Sequence, residues 1–389
     1  MKSKVLLGLF ILMLSLSGCI TEYFVTLTNQ KPMLFVAGDI VANTDAIFYI
    51  TQSFALNVDT VPDKAFVNNA ILQVIDSNEN VIATAVSLGR GRYQIRIGDL
   101  RDDVSYGIRI EHDGDIFESA LSRPLRTPEV DVRWRQYEPL GAVYFYLSTH
   151  DETSENNFFL WHYDEIWEVQ TPVQTSLFLN PQTSTFFTSH ESPHSICWKR
   201  NAAYELGSTE ALAENRIIDQ QLFRIEPESE TDRFYWLYSV TVTQKAVSQG
   251  SFEFHQNMKV QNEEMGGIFT PQPAEVLGNI RCITNPSRRV MGYINTLKNV
   301  SRQRIFIHRF ELIWPVIDWC GSRPCSVLPP DLFWSPDFYY SQGFRPVGEN
   351  FPPEFWMSAA CVDCREDGGT TEKPYFWPNT RWQGLEFCP

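Results

Sequence analysis

The chain has 389 residues, room for two or three domains, and carries 47 acidic against 32 basic side chains for a net charge of −15. That balance speaks against nucleic acid, which needs a basic footprint, and against electrostatic docking on an anionic bilayer. Aromatic residues make up 14% of the chain, and they are unevenly placed.

Residues 1–18 read as a lipoprotein signal peptide. "MKSK" is a short basic head, and "VLLGLFILMLSLS" is an apolar stretch too short to span a bilayer comfortably. "LSGC", Leu16 to Cys19, resembles a bacterial lipobox, which makes Cys19 the expected lipidated residue and 19–30 the anchor and tether. No second long apolar run follows, so no transmembrane helix is expected. Only Glu22 in "ITEYF" is acidic. That leaves both faces of an outer membrane open, with the cell surface the preferred expectation.

Of eight cysteines, lipidation of Cys19 leaves Cys197, Cys282, Cys320, Cys325, Cys361, Cys364 and Cys388. The envelope permits disulfides, so up to three bridges and one leftover thiol are expected, with the connectivity open.

Residues 31–126 read as an all-β module. "MLFVAGDIV", "AIFYITQSF", "ILQVIDSN", "VIATAVSLG", "RYQIRIGDL", "YGIRIEHDG" and "IFESALS" are short strands, and Tyr93, Ile95 and Ile97 alternate with polar residues. "DSNEN", "GRG" and "HDGD" supply turns. The pattern predicts an immunoglobulin-like β-sandwich. "RPLRTPE", 123–129, is the expected linker.

Residues 130–314 read as a second β-rich domain, with strands in "GAVYFYLS", "NNFFLWHYDEIWEVQ", "RFYWLYSVTVTQ", "RVMGYINT" and "QRIFIHRFEL". One helix is expected over 248–265. Phe252, His255, Met258 and Asn262 share a face, Ser248 can cap the start, and Gly266-Gly267 stops it. His255 has no partner at metal spacing and reads as a structural histidine.

"HESPH", His190 to His194, fits the H-E-x-x-H signature of zinc proteases. The zinc grip needs both histidines on one face of a helix. Pro193 inside that helix would lose a hydrogen bond and clash, at about 3 kcal/mol. In the extended form of the motif a Gly and a His follow, where Cys197 and Arg200 stand here. His190 and His194 are therefore expected in a solvated loop, and no catalytic residue, metal or cofactor is assigned. No nucleophile elbow or phosphate loop is visible either.

Residues 315–389 form a Cys- and aromatic-rich C-terminal region without a sustained period. Trp319, Trp334, Trp356, Trp377 and Trp382 all fall in it. "CVDC", Cys361 to Cys364, can mean zinc, redox exchange or a structural bridge. "CGSRPC" supplies a conceivable second zinc pair, but the oxidising compartment and the "REDGGTT" turn favour disulfides. "KPYFWP" has prolines at both ends of its aromatics and is expected as an extended ribbon, with Tyr375 and Trp377 on one side and Phe376 on the other. Tyr375, Trp377, Trp382 and Trp356 are the expected binding residues.

"YELGSTEALAENRI", "YSVTVTQ", "NEEMGGIFTPQPAEVLGNIRCITNPSRRVMGY" and "CVDCREDGGTTEKPYFWP" occur in this order. Together they resemble a Bacteroidota family of outer-membrane lipoproteins of unknown function, commonly encoded beside TonB-dependent receptors. The resemblance covers the lipobox and most of the mature chain, and is strongest from about 200 to 378. It implies a non-enzymatic accessory or ligand-capture lipoprotein. The implied partners are a TonB-dependent outer-membrane receptor and an oligosaccharide or peptide ligand. Two other readings are an envelope hydrolase, zinc- or carboxylate-dependent, and a structural or adhesive β-sandwich spacer.

Overall fold

The computed structural model describes residues 31–54, 61–139, 141–152, 156–189, 194–209, 216–226, 232–264, 278–313, 325–329 and 335–379. The first unit is a two-sheet sandwich. Strands β1 (Leu34–Ala37), β2 (Ile40–Val41), β3 (Asp45–Gln52), β4 (Ile71–Asp76), β5 (Val81–Thr84), β6 (Val86–Gly89), β7 (Arg92–Arg96), β8 (Tyr106–His112) and β9 (Asp115–Ser119) follow in chain order. One sheet runs β1-β3-β7-β6 and the other β9-β8-β4-β5. The period-two alternation turns Phe48, Ile50, Tyr93 and Ile95 of one sheet onto Leu72, Val74, Ile108 and Phe117 of the other, all buried. Tyr93 remains satisfied in that core, because its hydroxyl donates to Val67 O at 3.0 Å and accepts from Ala70 N at 3.0 Å. The Asp76 carboxylate accepts from Asn78 N and Asn80 N and closes the turn before β5.

The second unit is built from longer strands: β10 (Val130–Gln136), β11 (Val143–His150), β12 (Phe158–Gln170), β13 (Leu177–Asn180), β14 (Thr185–Thr188), β15 (Ile196–Ser208), β16 (Arg216–Ile225) and β17 (Leu237–Val247). Strands β12 and β15 pair in full from Phe158↔Ser208 to Gln170↔Ile196. Phe145, Phe159, Trp161, Tyr238 and Val240 fill the space between the β10-β11-β16 sheet and the sheet centred on β12. Gly207 lies flat against Trp161, and a Cβ there would come within 2.0 Å of the indole. Buried Glu165 is satisfied by Tyr238 Oη (2.8 Å), Asn201 Nδ2 (2.6 Å) and Arg233 Nε (3.1 Å). Helix α1 (Gln249–Glu264) follows, and the Ser248 hydroxyl accepts from Ser251 N at its start, as the sequence predicts.

The chain then returns to the first unit. Strand β18 (Ile280–Cys282) pairs antiparallel with β9, β19 (Val290–Met291) parallel with β1, and β20 (Thr296–Leu297) parallel with β2. Residues 280–297, placed by the sequence in a domain spanning 130–314, thus complete the sandwich of residues 31–126. The hydrophobic pattern of a three-residue strand says that it pairs, not with which edge. The open sides of β1 and β9 supply the partners.

Strand β21 (Ser301–His308) re-enters the second unit beside β17. The C-terminal region holds β22 (Val327–Leu328), the short helix α2 (Pro336–Ser341), β23 (Phe344–Val347) and β24 (Phe355–Ser358). Its three-strand sheet packs on the β13–β14 hairpin through Leu179, Phe186, Tyr339 and Trp356. Two disulfides hold it, Cys197–Cys364 and Cys325–Cys361. Cys282, a candidate for bridging, is instead a buried free thiol in the first sandwich, its Sγ 3.5 Å from Thr284 Oγ1. Cys19, Cys320 and Cys388 lie outside the described residues. The architecture is therefore mainly β, with one long inserted helix and a disulfide-stapled C-terminal region. Among the described residues no helix is long and apolar enough to cross a membrane.

Candidate binding site

Two motifs that are far apart in sequence meet at the stapled end. The Cys197–Cys364 bridge draws the turn Asp363–Asp367 against the start of β15. There Cys364 N donates to His194 O at 2.9 Å. The last histidine of "HESPH" and the centre of "CVDCRED" thereby become neighbours. His190 lies outside the described residues.

The hollow beside them has a volume of about 260 Å³. The hairpin forms its apolar side with Leu177, Phe178 and Phe187, and Val362 adds to it. The rings of Phe178 and Phe187 stack at 5.6 Å. The hairpin forms because "LFLN" and "TFFT" are β-prone runs separated by the turn formers of "PQTS". His194, Arg345 and Arg365 supply the polar rim. Arg365 grips Asp363 with two parallel bonds, Nε to Oδ1 at 2.9 Å and Nη2 to Oδ2 at 2.7 Å. The same Nη2 is 3.2 Å from His194 Nδ1. Arg345 stacks over Tyr340 at 3.8 Å and bonds to the Glu366 carboxylate.

Burial depresses the pKa of His194, the Arg365 charge lowers it further, and Asp363 offsets part of this. The imidazole is thus neutral near pH 7. Burial alone would raise the Asp363 carboxyl, but the hydrogen bonds and charge of Arg365 hold it below the usual range. The site therefore offers a neutral ring, guanidinium donors and an apolar wall. That set suits an aromatic or aliphatic group carrying polar atoms. Among the described residues no three His, Cys, Asp or Glu side chains gather as metal ligands.

The expected binding tryptophans are placed differently. Residues Pro374 to Trp377 form a turn closed by Trp377 N to Pro374 O at 2.9 Å, not an extended ribbon. In consequence Tyr375 and Trp377 do not share a side. Tyr375 is 96% exposed, while Trp377 is 4% exposed, packed on Ile166 and Trp198 with its Nε1 bonded to Glu168 Oε2 at 2.9 Å. Phe376 lies half-buried under the Arg304 guanidinium at 3.2 Å. Trp356 is buried and stacks on Tyr339 at 4.7 Å. Trp356 and Trp377 are core residues, because short irregular segments need large side chains to build any core. Trp382, Trp319 and Trp334 lie outside the described residues. Sequence reasoning missed Phe178, Phe187, Tyr340 and Arg345. The alternation in "TSLFLN" and "STFFT" was the available signal.

Residues 20–303 match the family described as a domain of unknown function (DUF4249). No curated protein matches the chain. Among solved structures, a Salmonella alpha-2-macroglobulin mutant is similar over 55% of this chain and 13% of its own length, at 10% identity and a TM-score of 0.17. The chain thus spans 13% of that protein. A collagen adhesin from S. aureus is similar over 71% of this chain and 94% of its own, at 9% identity and a TM-score of 0.13. A type II cohesin dyad from the ScaA scaffoldin of Acetivibrio cellulolyticus covers 70% and 98%, at 10% identity and a TM-score of 0.12. Scores this low carry no functional argument.

Proposed function

The chain belongs to the family described as a domain of unknown function (DUF4249), and we propose that it is a non-enzymatic binding lipoprotein that assists a TonB-dependent outer-membrane receptor. The lipobox-like "LSGC" supports an acyl anchor at Cys19. The β-rich body then carries the stapled end out from the membrane, on the cell surface in preference to the periplasmic face. Its task is to capture a peptide or oligosaccharide for the receptor or to cover the receptor mouth.

The observation that carries this reading is the stapled end itself. Phe187, 51% exposed, lines a preformed pocket, and Phe351, 67% exposed, packs on Phe186 of the same hairpin, in a region held by two disulfides. Exposed aromatics on a rigid support are the usual anchors of an interface, since little entropy is lost when they dock. A spacer would gain nothing from exposing them.

Co-purification from native membranes in mild detergent tests the proposal. A receptor should be retained with the wild-type chain and lost or weakened by Phe187→Ala and Phe351→Ala, each by about 1–3 kcal/mol. Retention of no outer-membrane receptor by the wild-type protein would defeat the proposal.

A further inference from the structure

The two units also meet beside α1, where a larger cleft of about 880 Å³ opens between them. One wall is the outer face of β1 and β3, with Phe35, Ile47 and half-exposed Tyr49. The opposite wall carries His162 on β12, Lys245 on β17 and Arg302 on β21. Phe254 and His255 of α1, with Tyr293, close a third side, and the Phe254 and Tyr293 rings lie 5.8 Å apart. At the base Lys245 Nζ binds Asp39 Oδ2 at 2.6 Å, while Asn295 Nδ2 donates to Asp39 Oδ1 at 2.9 Å.

We propose that this junction cleft binds a neutral oligosaccharide. It is a second site, distinct from the stapled pocket and going beyond the receptor role proposed above. Three observations select the ligand class. The cleft mixes aromatic rings with imidazole, amide, hydroxyl and guanidinium groups. A purely apolar ligand would strip water from these polar groups without replacing it, whereas a sugar offers hydroxyls to them and C–H faces to the rings. Its charges are balanced and its carboxylates already engaged, Asp39 by Lys245 and Asp45 by Arg96 at 3.0 Å. Neither a polyanion nor a polycation is favoured. Finally, β1, β3, β12 and β17, which carry most of the lining, are each paired on both sides. Strand β1 is paired by β3 and β19, and β12 by β15 and β17. Along those strands an extended peptide finds no main-chain ladder to join. The volume lies in the upper part of the range of small-molecule sites, which leaves room for more than one ring.

Titration calorimetry on the purified full chain in detergent decides it, with maltohexaose, cellohexaose, xylohexaose, mannohexaose and laminarihexaose as probes. At least one should bind. Tyr49→Ala and His162→Ala, both at solvent-accessible side chains, should each weaken that binding by roughly 3- to 10-fold with unchanged melting. Silence from all five sugars overturns the proposal. So does binding that neither variant changes, or tighter binding of the polyanion hexagalacturonate. Receptor co-purification is read separately, so a failure here and a failure of the receptor role are distinguishable.

Discussion

At the scale of single residues, neighbours in sequence can have opposite fates. Tyr375 and Trp377 are two apart, yet the turn at Pro374 sends one to solvent and the other into a cluster with Ile166 and Trp198. Trp377→Ala should therefore lower stability by about 3–5 kcal/mol, by cavity formation and loss of the bond to Glu168. Tyr375→Ala should stay within about 0.5 kcal/mol. Urea denaturation of both variants checks this, and equal losses would refute the burial contrast. The histidines make a second prediction. Burial is the first cause that depresses the pKa of His112, His194, His255 and His308. On acidification the unfolded chain takes up these protons first. Their contribution is therefore full above the ordinary value near 6.5 and is lost as pH falls toward the lower folded values. Melting temperature should drop between pH 7 and pH 5, and His255→Gln should make that drop shallower. A flat profile in the wild-type protein would contradict the assignment.

At the scale of elements, the period-two pattern identifies strands well, and the cap at Ser248 identifies α1. What it does not identify is the attachment of short pieces. The three-strand sheet of the C-terminal region is held to the second unit by the bridge from Cys197 to Cys364, which closes a loop of 167 residues, while Cys325–Cys361 closes one of 36. In the chain-entropy view the longer loop stabilises more, about 5 against about 4 kcal/mol. Paired serine substitution of Cys197 and Cys364 should lower the melting temperature more than the same change at Cys325 and Cys361. It should also open the stretch from Asp363 to Thr370 to proteolysis. The reverse order of melting would show that native-state effects outweigh loop closure.

At the scale of the whole molecule, the two units are not beads on a string. Strands β18, β19 and β20 complete the first sandwich from 150 residues or more downstream of β9. Lys245–Asp39 ties the second unit to the first, and Lys298 on the returning segment reaches Asp99 at 2.8 Å. A fragment of residues 31–126 lacks β19, β18 and β20, the returning partners of β1, β9 and β2, and should not fold cooperatively. Thermal unfolding of that fragment followed by circular dichroism checks this. A sharp transition would show that the returning strands are dispensable.

What the sequence determined by itself is what short-range physics controls: the alternation that makes strands, the turn residues, the cap and length of α1, and the pool of cysteines from which bridges form. It also led to a family resemblance without a chemistry attached. Tertiary structure alone decided which edges the strands at 280–297 complete, which cysteines pair, and that Trp356 and Trp377 are core while Phe187 and Phe351 are surface. It alone brought His194 to Arg365 and Tyr49 across from His162. Those outcomes depend on contacts between residues well separated in sequence, many of them more than a hundred positions apart, and local propensity does not encode such contacts.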